Sequence, residues 1–166
     1  MVAPDDGAPE TRPPTVADLV SLCRDLNESG ARYVVIGGMA IIQAGFTRTT
    51  EDIDLLVDAA PDNIARLRAA LMRLPDGASQ DMRDGDLDEY VVVRIADEIV
   101  VDLLKRACGV EYPEARLLVE PVTIEGVTIP FANVELLWKT KQSVRDKDSM
   151  DRRFLAEIRA QRQAGS

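Results

Sequence analysis

The chain has 166 residues, 46% of them apolar and 30% charged, which matches one ordinary domain with enough apolar material for a sizeable core. Its 20 Lys and Arg stand against 29 Asp and Glu, and the resulting charge of -9 argues against a protein that coats nucleic acid through a broad basic surface, while leaving room for a local basic strip. There is no histidine, so Ser-His-Asp and Cys-His catalysis and His-ligated zinc are excluded, and proton transfer falls to carboxylate, Lys, Tyr, Cys or water.

Residues 1–14 are acidic and hold four prolines, which predicts a disordered lead and is unlike a signal peptide. Thr15 is placed to cap a helix on which Val16, Leu19, Val20, Leu22, Cys23 and Leu26 recur at helical spacing, and Asn27, Ser29 and Gly30 stop it. Tyr33 to Ile36 is a β-branched apolar run and predicts a strand, broken by Gly37-Gly38. A short helix from Met39 to Ala44, a second strand from Asp52 to Val57 and a helix from Asn63 to Leu74 follow, the last opened by Pro61 and Asp62. Residues 75–88 are polar and predict a surface loop. Glu89 to Arg94 and Glu98 to Leu104 predict two strands around a tight connection at Ala96-Asp97. A smaller hairpin is expected at Val122 to Ile129 around Glu125-Gly126. Asn133 caps a helix through Gln142, and another helix runs to about Arg162. The order predicts an α/β fold of the α+β kind: one domain over 15–162, a mixed sheet flanked by helices, and a short tail at 163–166.

The two cysteines, Cys23 and Cys108, are too few for a disulfide framework. The longest nearly apolar stretch, Tyr33 to Ile42, is about half of a membrane span. The expected setting is the cytoplasm, with reduced thiols and no membrane partner.

The sharpest chemical signal is Asp52-Ile53-Asp54 ahead of Leu55-Leu56-Val57. On a strand both aspartates point to one face and Ile53 to the other. Two such carboxylates repel unless a cation sits between them, and a hard divalent ion prefers oxygen ligands. A strand entry with two solvated acids is the plainer alternative. Asp102 lies in the apolar run Ile99 to Leu104, where a charge needs a partner. That partner is either Lys105 or an arginine in a salt bridge, or a metal. Taken together, Asp52, Asp54 and Asp102 suit a cluster that holds two Mg2+ around a triphosphate. Gly37-Gly38, between a strand and a helix, lets phosphate approach backbone N–H groups, although an ordinary tight turn reads the same. The stretch from Lys139 to Arg162 has eight basic and four acidic residues, a net of +4. Within it Lys141, Arg145 and Asp148 recur at spacings that share one helix face, a strip that meets phosphate or is merely solvated.

The run Val34-Val35-Ile36-Gly37-Gly38, followed by Arg48-Thr49-Thr50-Glu51-Asp52-Ile53-Asp54, resembles the nucleotidyltransferases of the DNA polymerase β superfamily. It is most similar to their branch of AbiEii-like toxins from type IV toxin–antitoxin systems, through Arg48, Thr50, Asp52 and Asp54. The third carboxylate of the family maps onto Asp102. The late Lys and its following Lys-Asp-x-x-Asp helix map onto Lys141 or Lys139 and onto Lys147-Asp148-Ser149-Met150-Asp151. The resemblance covers residues 33–155. One departure is Gly38, where many members carry a serine that touches the triphosphate.

The resemblance implies a transfer of a nucleoside monophosphate from an NTP to an acceptor hydroxyl. Asp52, Asp54 and Asp102 would be the catalytic, metal-binding carboxylates, with two Mg2+ and Mn2+ as the alternative. Gly37, Gly38, Arg48, Thr50, Lys139, Lys141, Arg145 and Asp148 would serve the nucleotide. The acceptor is tRNA or another RNA 3′ end, a protein or a small molecule, and a cognate antitoxin or toxin is the expected protein partner. Two other readings are a non-catalytic protein of the same fold that binds a nucleotide or a partner, and a glycosyltransferase. The last is disfavoured because its acids usually end a strand, whereas here the apolar run follows them.

Overall fold

The apolar patterns fold into a six-stranded sheet with helices packed against it. The computed structural model describes residues 10–143 and 145–165, so residues 1–9 of the lead, Ser166 of the tail and the side chain of Lys147 lie outside the described residues. The remainder of the lead is held to the domain rather than disordered. The Arg12 N–H donates to the Glu98 carbonyl at 2.9 Å, and its guanidinium binds Asp18 at 2.6 and 2.8 Å.

Helix α1 (Val16–Glu28) starts with a capping box in which Thr15 and Asp18 satisfy each other's backbone N–H, and it buries Leu19, Val20, Leu22, Cys23 and Leu26. Strand β1 (Tyr33–Ile36) is buried throughout and runs straight into α2 (Gly37–Gln43), so the two glycines open the helix instead of separating it from the strand. Strand β2 (Asp52–Val57) and helix α3 (Pro61–Leu71) follow, the helix ending three residues before the predicted Leu74. The predicted 75–88 loop is tied down. It contains a 3-10 turn at Ala78–Asp81 and the short α4 (Asp86–Glu89), and buried Asp97 accepts from the Asp76 and Ala78 N–H groups at 2.9 and 3.0 Å.

Strands β3 (Val93–Ala96) and β4 (Val100–Leu104) are joined by three residues, Asp97 to Ile99, not by a two-residue turn at Ala96-Asp97. A hairpin that the sequence pattern did not reveal follows: β5 (Arg106–Ala107) and β6 (Val110–Glu111), turned by Cys108 and Gly109 at φ 47 and 82. After α5 (Tyr112–Ala115) come β7 (Val119–Ile124) and β8 (Val127–Ala132), whose Glu125-Gly126 turn also has both φ values positive. Helix α6 (Val134–Thr140) is capped by Asn133, and α7 (Asp146–Ala164) closes the described chain. Among the described residues no helix is long and apolar enough to cross a membrane.

The sheet order is β3-β4-β2-β1-β8-β7. Strand β2 is antiparallel to β1 and parallel to β4, while β3 and β4 are antiparallel. The register sets Ile36 beside Asp54, Asp54 beside Asp102, and Asp102 beside Arg94. One row across four neighbouring strands therefore carries two carboxylates and a guanidinium, with Asp52 two residues along the same face.

Candidate active site

The strand alternation works as expected on β2. Ile53 is fully buried on one face, and Asp52 and Asp54 are half-buried on the other. Parallel pairing then puts Asp102 next to Asp54. One oxygen from each of Asp52, Asp54 and Asp102 lies within 4.8 Å of the other two. Three carboxylates this close raise one another's energy unless positive charge is near. Arg94 supplies some. Its Nε and Nη2 donate to the two Asp102 oxygens at 2.9 Å each, and Nη2 lies 3.6 Å from Asp52 Oδ2. The salt bridge and the cluster expected at Asp102 thus coexist. The partner is an arginine; Lys105 binds Asp88 at 2.7 Å instead.

The glycines serve close approach. Gly37 has φ +68, and a Cβ there would collide with the Asp54 carboxylate. A Cβ on Gly38 would collide with the Thr50 hydroxyl and lie 3.2 Å from Arg48 Nη2. The space that a serine would fill at position 38 is therefore taken by Thr50 and Arg48. Thr50 also donates to the Asp52 carbonyl at 3.0 Å, fixing the entry to β2.

Lys141, Arg145 and Asp148 do come together, but not along one helix face. The chain turns between α6 and α7, and the three residues meet at that corner. Buried Lys141 reaches Asp148 at 3.1 Å and Asp151 at 3.0 Å. Asp148 also accepts from the Ser143 hydroxyl and from Arg145 at 2.9 Å. Burial alone would raise the Asp148 carboxyl, yet the Ser143 hydrogen bond, the Lys141 charge and the Arg145 hydrogen bond outweigh it and hold it below the usual aspartate range. Arg48 lies 3.5 Å from Asp151, linking this corner to the β2 entry. Arg152 donates to the Lys141 and Ser143 carbonyls at 2.9 and 2.7 Å, so it braces the corner rather than extending a basic strip. Arg159 is likewise taken up by Glu135 and the Trp138 ring. Lys139 is away from the site and pairs with Glu114 at 3.2 Å.

These elements surround one cleft of about 800 Å³, within the size range of small-molecule sites. Gly37, Gly38, Arg48, Thr50, Asp52, Asp54, Asp102, Lys141 and Arg145 line it; Lys139 and Asp148 do not. Asp148 contacts two residues of the cleft wall, Lys141 and Arg145. Sequence reasoning missed Arg94, Ser143, Arg106 and the exposed Val91 and Val92, all on the cleft wall, and gave Asp151 no role. Among the described residues, five cationic ones (Arg48, Arg94, Arg106, Lys141 and Arg145) and four acidic ones (Glu51, Asp52, Asp54 and Asp102) line the cleft, a local balance unlike the chain's -9.

Cys108 also lines the cleft and is exposed, whereas Cys23 is buried in the core. Burial pushes the Cys23 thiol up to about 12, against a weaker opposing hydrogen bond from Tyr33. Intact-mass measurement after treatment with a maleimide is expected to show one adduct on the native protein and two after unfolding. An occupied cleft should slow the first. Two adducts on the native protein would contradict the burial of Cys23.

The family model described as the nucleotidyl transferase AbiEii toxin of type IV toxin–antitoxin systems matches residues 21–137. That span contains the glycines and all three aspartates and stops short of the Lys141 corner. No curated protein matches the chain. Among solved structures, the chain is similar to a candidate nucleotidyltransferase (TM1012) from Thermotoga maritima, at 15% identity and a TM-score of 0.57, covering 97% of this chain and 99% of that one. At this identity the likeness carries the fold alone.

Proposed function

Since the chain belongs to the AbiEii nucleotidyl transferase family of type IV toxin–antitoxin systems, we propose that it transfers a nucleoside monophosphate from an NTP to an acceptor hydroxyl with help from a divalent cation. The observation that carries this reading is the trio of carboxylate oxygens within 4.8 Å of one another. An all-oxygen donor set on rigid strands suits a hard ion, Mg2+ first and Mn2+ second, and Gly37 keeps space beside Asp54 that a side chain would fill. Asp52, Asp54 and Asp102 would hold such ions, which offset triphosphate charge and orient the reacting groups.

The rest falls to the protein. The acceptor oxygen bonds to the α-phosphorus as the bond to the bridging oxygen of the leaving pyrophosphate breaks. Asp102 would help take the hydroxyl proton once Arg94 has left its oxygens. Arg48, Lys141 and Arg145 neutralise phosphate charge from the facing walls, and the Gly37 and Gly38 backbones let phosphate come close. The Thr50 hydroxyl sits where a serine at position 38 would reach, but its proton goes to the Asp52 carbonyl, so contact with the triphosphate there falls to backbone N–H groups. Asp148 and Asp151 orient Lys141. An NTP substrate and reduced thiols suit the cytoplasm, and family membership supports a cognate antitoxin as the partner.

Calorimetry of NTP binding with and without Mg2+ tests this without knowledge of the acceptor. Wild-type protein is expected to bind in a Mg2+-dependent way, and Asp52→Ala/Asp54→Ala is expected to lose that binding. Binding that ignores both Mg2+ and the double substitution would remove the metal reading. Transfer of label from NTP to RNA, protein or small-molecule pools then identifies the acceptor.

A further inference from the structure

We propose that Arg94 competes with the divalent cation for Asp102, so that cation binding requires the guanidinium to leave the carboxylate cluster. This rests on the reading of Asp52, Asp54 and Asp102 as cation ligands. Arg94 stands directly opposite Asp102 across the β3–β4 pair, and buried Val93 and Ile95 anchor the strand on its other face. Its two nitrogens occupy both Asp102 oxygens at 2.9 Å, and one of them also lies 3.6 Å from Asp52. It therefore spans two of the three ligands. A guanidinium cannot shed its proton to make room, so it must move. The exposures say which partner moves: the Arg94 side chain is 61% exposed and that of Asp102 is 6%. The strand fixes Asp102, while Arg94 has open cleft beside it, toward Val91 and Val92. Arg94 is a positioning residue in this scheme, acting on the ion through Asp102.

The test is nucleotide-free titration of Mn2+ by calorimetry into wild type, Arg94→Gln, Arg94→Lys and Asp54→Asn. Arg94→Gln is expected to bind Mn2+ roughly tenfold more tightly than wild type, a typical size for two ligands in competition. Arg94→Lys keeps the charge but loses the two-nitrogen grip, and should fall between them. Thermal unfolding gives a second readout. In chelator Arg94→Gln should melt below wild type, since its carboxylates have lost their counter-charge, and added Mn2+ should raise it more than it raises wild type. Circular dichroism establishes that each variant is folded. If wild type binds Mn2+, Asp54→Asn does not, and Arg94→Gln binds no more tightly, the competition is wrong while the metal site stands. If neither wild type nor Arg94→Gln binds Mn2+, the ligand reading fails and this inference with it.

Discussion

Gly37→Ala is expected to lower nucleotidyl transfer by about 10²-fold or more while leaving a folded protein. The added methyl would meet the Asp54 carboxylate, at φ +68 on a backbone held between the end of β1, where Ile36 pairs with Asp54, and the start of α2. Something must shift, and the softest element is the Asp54 side chain itself. A misplacement of about 1 Å in a reacting constellation costs on the order of 10²-fold. The left-handed conformation adds a strain of roughly 1–2 kcal/mol for any residue with a Cβ. Gly109→Ala separates the two effects. Gly109 has φ +82, but nothing lies within 4 Å of where its new methyl would sit, so it carries the strain without the collision. The measurement is kcat/KM for transfer alongside the melting temperature of both variants. Equal losses of stability with a rate defect only in Gly37→Ala would support the argument. A wild-type rate in Gly37→Ala would mean that Asp54 does its work elsewhere.

Lys141→Met should cost about 3 kcal/mol of folding stability, near the low end for removing one partner of a buried ion pair. It strands two buried carboxylates, Asp148 and Asp151, though Arg145 and Ser143 still reach the first and Arg48 approaches the second. Urea unfolding at neutral pH measures the loss. Lys139→Met, which removes only an exposed pair with Glu114, should change stability by about 0.5 kcal/mol or less. Asp148 also gives the corner a pH signature. Its carboxyl titrates below its ordinary range in the folded protein, so its contribution is fully present above a pH of about 4 and is lost as pH falls through the lowered value. Lys141→Met should shrink this acid-side loss. Adding Asp148→Asn and Asp151→Asn to Lys141→Met should restore stability but not transfer, because the cation proposed to meet phosphate is still gone. Full activity in that triple variant would show that Lys141 is structural only.

Much of this site could be read from residue order alone. The alternation of Asp52, Ile53 and Asp54 fixes a shared face whatever the sheet topology, and a charge inside the apolar run around Asp102 demands a partner. Both followed from local rules. Arg94 did not, because its position depends on register. A two-residue turn at Ala96-Asp97 would set Val91 opposite Asp102; the three-residue connection sets Arg94 there. Asp97 decides the matter by bonding the Asp76 and Ala78 backbone, a contact between distant segments that no local pattern contains. The choice between Lys139 and Lys141 was hidden for a related reason. Both lie near the end of α6, and only the turn into α7 aims Lys141 inward. The β5–β6 hairpin is too short for periodicity to show, and Cys108 at positive φ is an uncommon turn residue.

The β3–β4 hairpin has a consequence for how the domain assembles. Asp52 and Asp54 arrive together on one strand, but Asp102 must dock beside them from a strand far along the chain. Docking a bare carboxylate there would be opposed by two like charges. Asp102 does not arrive bare: its hairpin partner brings Arg94, so the pair joins the sheet with no net charge of its own. Folding of this edge of the sheet therefore does not depend on an ion to offset the Asp102 charge, because Arg94 already does so.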